Sequence, residues 1–128
     1  MAGSEQVIIN GRKVDAKSEV EELSAAVDEL AKNRENPEES IHLVFKICHN
    51  IRGQGGTFGY DLITDIAASL CNYIEELESC DGDALTLIST HVDAMRAVIT
   101  ENATGDGGAI GQEISKSLNL AVTKLTDY

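Results

Sequence analysis

Apolar residues recur at intervals of three and four along five separate stretches of this chain, and that periodicity constrains the fold more than any other feature. Val20, Leu23, Val27 and Leu30 mark the first stretch, from Ala16 to Asn33. "NRENPEES" breaks it, and Asn36, Pro37 and Glu39 read as a cap, a first-turn proline and a capping-box glutamate for a second helix running to about Gly56. A third helix fits Tyr60 to about Glu78, with Leu62, Ile66, Leu70, Tyr73 and Leu77 on one stripe. After "SCDGD" a fourth carries Leu85, Ile88, Val92, Met95 and Ile99. After "NATGDGG" a fifth carries Ile110, Ile114, Leu118, Ala121 and Leu125. Aromatics at only 4% and a single proline suit helices as well. Short breaks between long helices imply antiparallel neighbours. The expected fold is all-α: an antiparallel up-down-up-down four-helix bundle of helices two to five, with an additional N-terminal helix on one end or side. Residues 16–128 form that domain. Residues 1–15 are expected as a tail or short extended arm, because "VIINGRKVD" is β-branched and carries an Asn-Gly turn signal.

The net charge of −12 argues against nucleic acid or an anionic membrane as partner, since both are held by clustered Lys and Arg. No apolar run approaches the roughly 20 residues that span a bilayer. Cys48, Cys71 and Cys80 are odd in number and lack metal-ligand spacing, so they read as free thiols in a reducing cytoplasm.

The acid-rich composition makes one window conspicuous. From Ser40 to Tyr60 there is no acidic residue, in a chain that has 22 of them. The window contains "ICHNIRGQGGTFG". With His49 at 0° on a helical wheel, Val44, Ile47 and Ile51 fall between about 160° and 220°, so the core lies opposite. Lys46 lies at about 60°, Arg52 at about −60°, Gly53 at about 40°, and His42 and Gly56 within about 20°. A histidine exposed in mid-helix, flanked by cations and bare backbone, suits a group that becomes an anion while another protein approaches closely. Gly53 weakens a helix interior by about 0.5–1 kcal/mol relative to alanine, so a use for it is expected. Gly55 falls on the core side at about 240°, where close helix packing is the alternative explanation. His91 lies beside the Ile88, Val92 and Met95 stripe and reads as a core-edge residue. A metal site from His42, His49 and Cys48 is disfavoured, because Cys48 projects about 100° away.

"HNIRGQGGTFG" resembles the signature of histidine phosphotransfer (HPt) domains, with His49, Arg52, Gly53, Gly56 and Gly59 in register; "TFG" is similar to the phosphotransfer domains of chemotaxis kinases. The resemblance implies a four-helix bundle acting as a phosphorelay intermediate. His49 would accept a phosphoryl group from a receiver aspartate or a kinase and pass it to a response-regulator receiver. Arg52 would stabilise the transferring charge, while Lys46, Gly53, Gly56 and His42 would form the partner-binding surface. It implies no ATP site and no cofactor of the protein's own, with Mg²⁺ supplied by the receiver. A monomeric, stand-alone cytoplasmic protein is expected. The alternative is a non-catalytic helical adaptor that binds a receiver or histidine kinase through the His49 face. Two positions depart from the family: Arg52 stands where lysine is commoner, and Cys71 stands where a glutamate or glutamine holds the ring's other nitrogen. Gln54 and Asn72 are the substitutes within the sequence.

Overall fold

Asp15 begins the helical part of the chain. Its carboxylate accepts the Ser18 N–H at 2.8 Å while the Ser18 hydroxyl accepts the Asp15 N–H at 3.2 Å, a reciprocal cap on α1 (Ala16–Lys32). The computed structural model describes residues 7–9, 12–54, 58–77, 79–104 and 107–126. Before the cap, β1 (Val7–Ile9) and β2 (Arg12–Val14) pair antiparallel, with Val7 opposite Val14. After it come α2 (Glu38–Gln54), α3 (Asp61–Glu75), α4 (Gly82–Thr100) and α5 (Gly108–Thr126). The chain is thus predominantly helical, as the periodicity requires. In α2 the first bond runs from the Ile41 N–H to the Pro37 carbonyl at 2.7 Å, and α4 is capped by the Asp81 carboxylate on the Ala84 N–H at 2.8 Å. No helix among the described residues is long and apolar enough to cross a membrane.

The helices pack in a ring. α1 lies against α2 and α4, α2 against α3, and α3 against α4, whereas α5 packs chiefly on α4. This differs from the expectation that set the first helix outside a group of helices two to five. The burial pattern gives the reason. α1 buries Ala16, Val20, Leu23, Ala26, Val27 and Leu30 along its whole length. α5 leaves Ile110 and Leu120 46% and 63% exposed and buries Leu118. Across the α1–α4 seam Arg96 donates to the Ser24 hydroxyl at 2.6 Å and pairs with Glu21 at 3.4 Å. Leu30, Val44, Ile63, Ile88 and Met95 lie in a core with no solvent exposure.

Two short connections fix how the helices turn. Phe58 and Tyr60 are buried between α2 and α3, and the Tyr60 hydroxyl donates to the Asn102 side chain at 3.2 Å, tying this corner to the end of α4. Between α4 and α5, Gly107 has φ +83°, and a Cβ there would fall 2.7 Å from the Gly111 Cα. Only glycine fits that turn.

Candidate functional site

The buried side of α2 is set by Val44, Ile47, Cys48 and Ile51. Helical geometry then leaves His42, Lys46, His49, Arg52 and Gly53 on the opposite side, and all five are exposed. The structure therefore brings these sequence-identified residues onto one solvent-facing stripe. Gly56, counted with them in the sequence, lies outside the described residues, as do Gly55 and Thr57. Among the described residues the side chain of neither His49 nor Arg52 makes a hydrogen bond or ion pair. Arg52 sits in the last turn of α2, where the helix dipole favours a cation.

The glycines of this segment serve different ends. A Cβ added to Gly53 would meet nothing within 4 Å, so no packing demand accounts for its missing side chain. Gly59 has φ +92°, a left-handed conformation that swings the chain between the buried rings of Phe58 and Tyr60. The Phe58 N–H returns to the Gln54 carbonyl at 2.9 Å and fixes the start of that turn. Gly53 thus leaves surface open, while Gly59 shapes the backbone.

Phe45 belongs to this site although the helical pattern of α2 does not by itself single it out. It stacks on His49 with ring centroids 6.1 Å apart and planes inclined by 18°. The signal was present: an aromatic four residues before the histidine lies one turn away on the same face. Phe45 is half-buried and also lines a groove of about 470 Å³ with Pro37, Ile41, His42, Ile74 and Leu77. His42 therefore stands at the rim of that groove.

Beneath this face the buried Cys48 of α2 and Cys71 of α3 lie close enough for each thiol to influence the other. The Cys48 thiol also reaches the Ala67 carbonyl at 3.3 Å. Burial pushes both thiols above the ordinary range, and the Arg52 charge opposes the rise in each. Cys71 is 1% exposed, and a buried neutral thiol offers His49 no carboxylate-like partner. Asn72, one of the two substitutes within the sequence, lines a cleft with Ser69, Tyr73 and His91 on the α4 side of α3.

His91 is fully buried rather than at a core edge. Its Nδ1 lies 2.7 Å from the Leu87 carbonyl, which can only accept, so Nδ1 carries the proton. Nε2 then accepts from the Ser69 hydroxyl at 3.0 Å. Burial lowers the pKa of this imidazole and keeps it neutral. No protein-family model, curated protein or solved structure matches this chain.

Proposed function

We propose that this chain is a histidine phosphotransfer protein, with His49 as the phospho-acceptor. The observation that carries this reading is the stripe on α2: an exposed imidazole with Arg52 one turn further on and open space above Gly53. The ring of contacts among α1, α2, α3 and α4 supports an antiparallel up-down four-helix bundle, with α5 alongside α4. It would thus begin one helix earlier than the periodicity suggested.

In the proposed reaction a neutral His49 nitrogen attacks the phosphorus of an aspartyl phosphate on a receiver domain. The P–N bond forms as the P–O bond to the aspartate breaks, and that carboxylate leaves with the electron pair. The other ring nitrogen then releases its proton to water. Reversal onto a second receiver completes the relay. Arg52 stabilises the phosphoryl oxygens, with Lys46 on the other flank. Mg²⁺ and the neutralising lysine belong to the receiver. Gly53, Gly56 and His42 complete the docking surface, in a cytoplasmic monomer.

The test is incubation with phosphorylated receiver domains, following acid-labile phosphate on the chain. His49→Gln should abolish labelling and leave far-UV dichroism and melting unchanged. Labelling that survives in this variant and disappears only with His42→Gln would overturn the assignment. Tight receiver binding with no phosphate on wild-type protein would favour the adaptor, since the open face above Gly53 serves docking with or without chemistry.

A further inference from the structure

We infer that Phe45 is the positioning residue of the reactive imidazole: it holds the plane of the His49 ring by stacking, where no side chain among the described residues bonds the ring in its plane. The inference rests on the phosphotransfer reading and names a determinant that reading does not contain.

A nucleophilic imidazole must present one nitrogen edge-on to phosphorus, and free rotation about its two side-chain torsions dilutes that orientation. Hydrogen bonding to the second nitrogen would restrict both torsions. Among the described residues His49 has no such bond. Cys71 is buried against Cys48, and Asn72 sits in the cleft that holds His91. The restraint that the described residues do place on the ring is the face of Phe45. Long and aromatic side chains on a helix lean toward its N-terminus, over the residue four positions earlier, so the favoured rotamers of His49 bring it onto Phe45. The observed separation of 6.1 Å and inclination of 18° describe that offset stack. Phe45 is itself packed against the hydrophobic core, so its own ring is anchored. A stacking partner covers a ring face and leaves the edge, with both nitrogens, open to an incoming phosphoryl group. It differs from a carboxylate in one respect: it fixes the ring plane without choosing the tautomer.

The experiment compares wild type, Phe45→Leu and Phe45→Tyr in the full chain. Leucine keeps apolar bulk against the core but has no ring, whereas tyrosine keeps the ring. The first measurement is the proton NMR shift of the His49 imidazole, which a stacked ring moves upfield. The second is the rate of His49 phosphorylation by phosphoramidate, a donor too small to need the docking surface. Wild type and Phe45→Tyr should show the upfield shift and equal rates. Phe45→Leu should lose the shift and react about two- to tenfold more slowly, the factor that an aromatic stacking preference is worth, with unchanged melting. Unchanged phosphorylation of Phe45→Leu despite loss of the shift would overturn the inference, as would absence of the shift in wild type. If wild type takes phosphate from neither phosphoramidate nor a phosphorylated receiver, the phosphotransfer reading itself fails and the inference falls with it. That case is distinguished by the unlabelled wild-type control.

Discussion

His49 and His91 are stacked alike and differ in everything else. Each imidazole lies against an aromatic ring at an inclination of 18°, Phe45 for one and Tyr73 for the other. His91 is enclosed and spends both nitrogens on Leu87 and Ser69. His49 is exposed, with neither nitrogen bonded among the described residues. Ring stacking therefore does not separate a structural histidine from a reactive one. Burial and in-plane bonding do, because a nitrogen lone pair already accepting a hydrogen bond inside the protein is withheld from chemistry.

The comparison breaks most sharply at His91. His91→Ala should cost about 2–4 kcal/mol in urea unfolding, since it opens a cavity and removes two buried hydrogen bonds. Phosphate uptake per folded molecule should stay unchanged, the mirror image of His49→Gln. Loss of uptake in folded His91→Ala would show that the two histidines are coupled. Arg52→Ala should raise the transfer barrier by about 1–3 kcal/mol, near the worth of a charged hydrogen bond. Melting should not move, because an exposed cation contributes little to stability. An unaltered rate would reduce Arg52 to a helix-terminal charge, and Arg52→Lys separates charge from the guanidinium fork.

Smaller effects follow from one proton and from one Cβ. The folded-state pKa of His91 lies below its ordinary value of 6.5, because burial disfavours the charged ring. Between the two values the unfolded chain binds a proton that the folded chain does not, so stability rises with pH across that window. The contribution is complete above 6.5 and is lost as the pH falls toward the folded value. Urea midpoints of wild type and His91→Leu, compared at neutral and mildly acidic pH, should converge on acidification. A constant gap would contradict a buried neutral His91. Gly53→Ala should stabilise by about 0.5–1 kcal/mol, since the added methyl meets open space in a helix. Gly53→Gln should retain wild-type melting yet weaken receiver binding and transfer, while leaving phosphoramidate labelling intact. Destabilisation by either substitution would assign Gly53 to backbone geometry, like Gly59.

The five helices were legible because burial of one face forces apolar residues to recur at three and four. The same signal cannot name a helix's neighbour. Ile110, Ile114, Leu118, Ala121 and Leu125 make as regular a stripe as Val20, Leu23, Val27 and Leu30, yet α1 is the more deeply packed. At the candidate site the exposed stripe through His49 and Gly53 was readable from the helical wheel, since Val44, Ile47 and Ile51 fix the buried side. Phe45 escaped because its ring is shared between core and surface, and a binary division of the wheel has no place for it. The closeness of Cys71 to Cys48 escaped for another reason. It depends on how α2 and α3 are rotated about their axes, which periodicity leaves free.

The three cysteines carry a practical consequence. Cys48 is in α2, Cys71 in α3 and Cys80 in the connection before α4; all are buried, and burial raises each thiol above its ordinary pKa. Thiol reagents attack the thiolate, so the native chain is close to silent toward them at neutral pH. Each position is then a clock for local opening, read by the mass of an alkylated peptide against time. The rates at Cys48 and Cys71 would report whether the two helices beneath His49 part together or one at a time, without any label on the reactive face.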